Sequence, residues 1–167
     1  MTALILAAIN LRPGITSFAP LIERIADELQ LNRSLVSLTT ALPVLLMGLL
    51  APLAPRLAVR FGLERTIAAC MGLICGALAL RTLGDSVVVL ISTAGMVGAG
   101  IAIAGPLLSG FIKRYFLPRM GKTAAFYSLS MAIGGTLGVV LTAPATTVLD
   151  DRWTAGLAIW AIPALFA

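Results

Sequence analysis

One arginine, Arg12, lies within an apolar run that covers residues 2–21. A helix rises about 1.5 Å per residue, so Arg12 would lie about 16 Å along it, near the middle of a hydrocarbon layer of about 30 Å. A guanidinium keeps its proton in proteins and costs at least about 3 kcal/mol at that depth unless it faces protein or water. Its planar donors can hold an anion or a planar solute with two parallel hydrogen bonds. We interpret Arg12 as a solute-binding residue; a structural arginine that binds the carbonyls of a neighbouring helix is the alternative.

Four further residues are predicted to shape this site. Asn10 adds an amide close to Arg12 along the chain, and Tyr127 adds a hydroxyl near the start of a later apolar run. We predict that both bind the solute, although a tyrosine at such a boundary is also typical of an interfacial anchor. Pro13 removes a helical hydrogen bond and Gly14 adds room, which favours a kinked or opened helix beside the arginine.

Chemistry other than binding finds no support in the sequence. The chain has no histidine, and Cys70 and Cys75 are spaced to lie on different faces of a helix, which favours packing over a disulfide or a metal site. An intramembrane enzyme needs a nucleophile with a base, or a metal cluster, so we predict no enzymatic activity, no metal and no cofactor. Because no acid lies deep in any apolar run, we also predict that any proton coupling resides in the solute or in polypeptide outside this chain.

Six apolar runs must position these residues. The chain is 59% hydrophobic and 11% charged, whereas soluble domains carry about 25% charged residues. A spanning helix needs about 20 apolar residues, and a barrel strand needs only about 10, in alternation. The predicted spans cover residues 2–21, 35–54, 66–83, 87–112, 123–149 and 153–167, the last of them cut short. The expected fold is therefore all-α: one polytopic transmembrane helical bundle of about six spans over residues 1–167.

The charges between the runs predict the topology. The second and fourth loops together hold seven Lys or Arg, and the other three loops hold four. The positive-inside rule makes the second and fourth loops cytoplasmic, and the amino terminus with them. We therefore expect a multi-pass protein of a bacterial-type inner membrane, with the lipid bilayer as its surroundings. The same topology accounts for the basic pI without a nucleic-acid partner.

Glycines are concentrated in the fourth and fifth runs, where Gly98 and Gly105 precede Gly134 and Gly138. Small residues four apart let helix backbones approach closely, so we interpret these glycines as packing positions. Flexure of the helices during a transport cycle is the alternative.

Several segments resemble the cyanate-permease and nitroimidazole-transporter branch of the major facilitator superfamily. They are Asn-Leu-Arg-Pro at 10–13, Leu-Pro at 42–43, and residues 52–58, 60–66, 112–116 and 127–128. The resemblance implies a secondary transporter of twelve helices in two halves that rock around a solute at the midplane. The chain would supply the amino-terminal half, and a missing carboxyl-terminal half or a second copy would be its partner. The solute would be a small anion such as cyanate, or a small polar planar organic compound. A truncated membrane protein that only packs with other helices is the alternative.

The second loop also resembles a motif of this superfamily. Arg60, Gly62 and Arg65 match its basic and glycine positions, whereas Pro55 replaces its first glycine and Val59 replaces its aspartate. The ion pair assigned to that aspartate in gating is therefore not expected in this chain.

Overall fold

The computed structural model describes residues 2–17, 19–28, 32–80, 86–148 and Trp160. Helices and short helical turns account for almost all of these residues, and none of them forms a strand. The predicted all-α fold is therefore confirmed. The sixth predicted span lies outside the described residues, apart from Trp160.

The first apolar run is broken in two at Arg12. Helix α1 spans Thr2–Leu11 and α2 spans Pro13–Thr16, and Arg12 stands between them with helical backbone angles. Pro13 occupies the first position of α2, where a missing N–H breaks no bond within that helix. A short helical turn, Ala19–Leu21, leads into α3 at Ile22–Glu28.

The second predicted span is bent. Helix α4 covers Arg33–Leu50 and α5 covers Leu53–Phe61, and the two axes differ by 62°. Pro52 precedes α5 directly. Gly62 has a φ of 90° and separates α5 from α6, which covers Leu63–Leu80.

The fourth and fifth predicted spans form the two longest helices. Helix α7 covers Val87–Tyr115, a short helical turn follows at Leu117–Arg119, and α8 covers Met120–Val148. At about 1.5 Å per residue, each is longer than the hydrocarbon layer is thick. Helix α6, helix α7 and the segment Leu117–Thr142 are long and apolar enough to cross a membrane, and the bent pair α4–α5 makes a fourth crossing if it is one span.

Two sets of helix contacts build the core. Helix α7 packs against α4 and α6, and α1 packs against α8. A Cβ added to Gly98 would lie 2.6 Å from the Cα of Pro43, so α4 and α7 meet backbone to backbone there. Apolar side chains such as Ile74, Leu78 and Val97 fill the space around these contacts.

Candidate functional site

An open cavity of about 630 Å³ lies between the broken first span and α8. The first span contributes Arg12 and Thr16. Helix α8 contributes one face, whose residues are three or four positions apart along the helix: Ser128, Met131, Ala132, Gly135, Thr136, Val139 and Val140. Among these lining residues, Arg12 is the only charged one.

The Arg12 side chain is exposed in this cavity. Within the described residues, its guanidinium has no hydrogen bond and no carboxylate partner. Its stem lies beside Gly135: a Cβ on that glycine would lie 3.6 Å from the Cβ of Arg12, an ordinary van der Waals distance. The guanidinium can therefore offer its donors to a solute in the cavity.

Three hydroxyl groups share the cavity with this cation. The hydroxyl of Thr16 lies 3.1 Å from the carbonyl oxygens of both Arg12 and Gly135 and can donate its one proton to either; the contact with Gly135 joins α2 to α8. Thr136 donates to the carbonyl oxygen of Ala132 at 3.0 Å within its own helix. The oxygen atoms of Thr16, Thr136 and Ser128 can still accept a hydrogen bond, so the cavity combines one positive charge with neutral polar groups.

Glycines on α8 bring it against the break in the first span. Pro13 has no N–H to give to the carbonyl of Ile9, four residues earlier. That carbonyl lies against Gly134 so closely that an added Cβ would overlap its oxygen. A Cβ on Gly138 would lie 2.5 Å from the Oγ1 of Thr16 and 3.0 Å from the Cα of Pro13. The helix break and the α8 glycines therefore form one interface, which holds Arg12 at the cavity.

The other glycines singled out from the sequence have different surroundings. A Cβ on Gly14 would lie 2.9 Å from the Cγ1 of Val97 on α7, so Gly14 also marks a close contact. A Cβ on Gly105 would meet no atom of the described residues within 4 Å.

Tyr127 lies in the second turn of α8, next to the cavity-lining residue Ser128. Its side chain is half-buried against the core. It is not among the residues that line the cavity. Tyr127 therefore lies beside the predicted site.

Asn10 is 1% exposed and does not line the cavity. Neither its Nδ2 nor its Oδ1 has a hydrogen-bond partner among the described residues, and the Oγ of Ser17 also lacks one. Neither Asn10 nor Ser17 lines the cavity, so these polar groups are buried elsewhere in the packing of the first segment.

We expect Asn10→Leu to raise the free energy of unfolding by about 1–2 kcal/mol, because a leucine of similar volume removes two buried polar atoms that lack partners. Denaturant unfolding in detergent micelles, followed by tryptophan fluorescence, measures this change. Asn10→Ala is the control, since it removes the same amide but leaves a void. A leucine variant less stable than the original chain would contradict the prediction.

Residues of the second-loop motif lie at the junction of α5 and α6. Arg60 and Arg65 are exposed on either side of Gly62. The hydroxyl of Thr66 lies 2.7 Å from the carbonyl oxygen of Gly62 and 3.3 Å from that of Leu57, two acceptors for its one proton in and just after α5. Val59 is 89% exposed, so it occupies an outer position where a charged residue could be solvated.

Thr16, Ser128, Gly135 and Thr136 complete the cavity but were not assigned to it from the sequence. The sequence of α8 does carry a signal for this cavity. Positions 128, 132, 135 and 136 are small or hydroxyl residues, and position 139 is a valine. Residues with this spacing form one helix face. The sequence alone does not show that this face meets Arg12.

The long apolar helices and their backbone-to-backbone contacts are those of a helical membrane protein. The chain belongs to the Major Facilitator Superfamily, which its residues 4–167 match. Proteins of this family are multi-pass membrane proteins, and the family predicted from the sequence is confirmed.

Three curated relatives resemble the chain. The uncharacterized transporter YycB of Bacillus subtilis (strain 168) is 34% identical over all of this chain and 41% of its own length. The 2-nitroimidazole transporter of Escherichia coli (strain K12) is 35% identical over 86% of this chain and 36% of its own length. The cyanate transport protein CynX of the same organism is 32% identical over all of this chain and 43% of its own length.

The chain therefore spans less than half the length of these relatives. Their similarity confirms the predicted branch of the family. All three are named as transporters, which also confirms that the chain belongs to a family of transporters rather than of enzymes.

Proposed function

We propose that this chain forms the Arg12-bearing side of a transmembrane passage for a small anionic or planar polar solute. The observation that carries the proposal is the exposed guanidinium of Arg12, which has no carboxylate partner among the described residues and opens onto a cavity of about 630 Å³. A permanent cation is retained in a membrane helix at a cost. That cost is offset when a solute or water in a polar passage surrounds it.

The solute class follows from the groups that line the cavity. A guanidinium holds a carboxylate-like or planar acceptor with two parallel hydrogen bonds, and the hydroxyls of Thr16, Ser128 and Thr136 add neutral partners. Cyanate is a small anion and 2-nitroimidazole is planar with oxygen acceptors, and two relatives are named for these compounds. Both compounds suit a site with one cation and several hydroxyls.

The transport cycle we propose is alternating access, in which two halves rock around a solute near the midplane. A carboxyl-terminal half or a second copy of the chain would cover the open side of the cavity. We also propose that the amino terminus lies in the cytoplasm of a cell with this protein in its inner membrane, since the basic loops favour that orientation. The lining residues include no carboxylate, imidazole or thiol, so a proton, if one is coupled, would travel with the solute or through other polypeptide.

Solute protection of a cysteine in the cavity tests this function. Ser128→Cys is introduced into a chain in which Cys70 and Cys75 are replaced by alanine, and its reaction with a negatively charged methanethiosulfonate is timed in membrane vesicles. We expect cyanate or 2-nitroimidazole to slow this reaction several-fold, because the solute occupies the cavity that Ser128 lines.

Ser34→Cys in the same background is the matched control, since Ser34 is exposed near the start of α4 and does not line the cavity. Its reaction should be unaffected by solute. A Ser128→Cys reaction that neither compound slows, or that fails altogether, would favour a membrane protein that only assembles with other helices.

A further inference from the structure

A second polar surface lies at the end of the bundle where α5, α7 and the short turn Leu117–Arg119 finish and α6 and α8 begin. We call it the basic face. It comprises seven exposed cations: Arg56, Arg60, Arg65, Lys113, Arg114, Arg119 and Lys122. Glu64 is the one acidic residue that the described part of the chain adds to this surface.

Hydrogen bonds between helices hold the basic face together. The hydroxyl of Tyr115, at the end of α7, donates to the Oε1 of Glu64, at the start of α6, over 2.8 Å. The hydroxyl of Thr66 joins α6 to the Leu57 carbonyl of α5. The cations of three helices are therefore presented on one connected surface.

Among the described residues, no carboxylate forms an ion pair with an arginine of this surface. The guanidinium of Arg60 lies 5.3 Å from the ring centroid of Phe61, and that of Arg114 lies 5.6 Å from the ring centroid of Tyr115. Within the described ranges, neither guanidinium forms an ion pair, and an oxygen of Glu64 already accepts from Tyr115. Stacking on an aromatic ring leaves the in-plane donors of a guanidinium available for an anion.

Exposed apolar side chains lie close to these cations along the chain. Val59 is 89% exposed, Phe61 is 54% exposed and Leu117 is 70% exposed. Exposure of these side chains to water would not stabilise the protein. A mixture of basic residues with aliphatic and aromatic ones is typical of a helix that lies in a membrane interface. Helix α5 also bends 62° away from α4, so it does not continue the direction of that span.

We propose that the basic face binds the phosphodiester headgroup of an anionic phospholipid, with α5 lying along the interface. The guanidinium groups of Arg60 and Arg114 hold the headgroup phosphate, and Val59, Phe61 and Leu117 contact the upper part of the acyl chains. Topology alone explains why cations gather on one side of a membrane. It does not explain why they lack carboxylate partners among the described residues, or why exposed apolar side chains accompany them.

Native mass spectrometry of the full chain in detergent, titrated with phosphatidylglycerol or phosphatidylcholine, tests this proposal. We expect phosphatidylglycerol to bind more tightly than phosphatidylcholine. A basic residue near an anionic surface contributes roughly a fivefold change in affinity. The double variant Arg60→Gln with Arg114→Gln should therefore weaken phosphatidylglycerol binding about 25-fold and leave phosphatidylcholine binding unchanged.

Arg33→Gln is the control for loss of a positive charge outside the basic face, because Arg33 begins α4 at its end remote from α5. It should bind both lipids as the original chain does. If the double variant does not fold, 0.5 M salt should remove the lipid preference of the original chain instead, because headgroup attraction is screened.

Three outcomes would overturn the proposal. The original chain binds both lipids equally; the double variant keeps its preference for phosphatidylglycerol; or inorganic phosphate at millimolar concentration displaces the lipid, which would indicate a site for a soluble anion.

Discussion

Replacing Arg12 with glutamine is expected to lower solute flux by about a hundredfold. Glutamine keeps a polar side chain of similar length but lacks the charge and the two parallel donors. Two hydrogen bonds to a charged partner contribute about 1.5 kcal/mol each at the lower end of the usual range, and about 1.4 kcal/mol corresponds to a factor of ten. Uptake of labelled cyanate and 2-nitroimidazole into vesicles, normalised to the amount of protein in the membrane, measures the loss.

Two companion variants sharpen this test. Arg12→Lys keeps the charge but binds as a single point, so we expect it to retain more flux than the glutamine variant. Arg33→Gln removes an equal charge from the start of α4 and should leave flux unchanged. Full flux in Arg12→Gln, with normal insertion, would remove the guanidinium from the solute site.

Replacing Gly134 with alanine is expected to lower the free energy of unfolding by about 3 kcal/mol or more. The added methyl group would overlap the carbonyl oxygen of Ile9. A backbone atom cannot rotate away as a flexible side chain can, so α1 and α8 must move apart along their contact. Overpacking of this kind costs about 1–3 kcal/mol and sometimes more. Denaturant unfolding in detergent micelles measures the change.

Gly105→Ala is the matched control for this variant. Gly105 is also a helical glycine of a long span, but a Cβ there meets no atom of the described residues within 4 Å. Alanine favours a helix over glycine by up to about 1 kcal/mol, so this variant should be as stable as the original chain or slightly more so. Equal stability of the Gly134 and Gly105 variants would show that α1 and α8 do not meet as described.

The helical fold could be predicted because its signal is local. Apolar runs at 87–112 and 123–149 correspond to α7, Val87–Tyr115, and α8, Met120–Val148. In lipid, a chain without charges must satisfy its backbone internally, and a helix does so within one segment. The break beside Arg12 was also readable, because Pro13 lacks an N–H.

The bend between α4 and α5 was missed, although Pro52 and Pro55 gave a local signal for it. The continuous apolar run at 35–54 predicts one span, because hydrophobicity alone does not show where a helix axis changes direction. The amphipathic character of Leu53–Phe61 would have separated α5 from the preceding span.

The composition of the cavity depends on contacts that sequence periodicity does not encode. Helix α8 faces Arg12 because its glycines leave room for the carbonyl group of Ile9. This contact joins residues that are more than 100 positions apart in the chain. Asn10 and Arg12 lie two residues apart, which places them about 200° apart around a helix. Their proximity along the chain therefore does not bring both side chains to one cavity.

The hydroxyl of Thr16 has a single proton, yet it lies 3.1 Å from two acceptors, one on its own segment and one on α8. Rotation of the hydroxyl switches its hydrogen bond from the Arg12 carbonyl oxygen to the Gly135 carbonyl oxygen. In either orientation the hydroxyl proton has an acceptor, so this contact between α2 and α8 leaves no unsatisfied donor beside the arginine, where lipid could supply no partner.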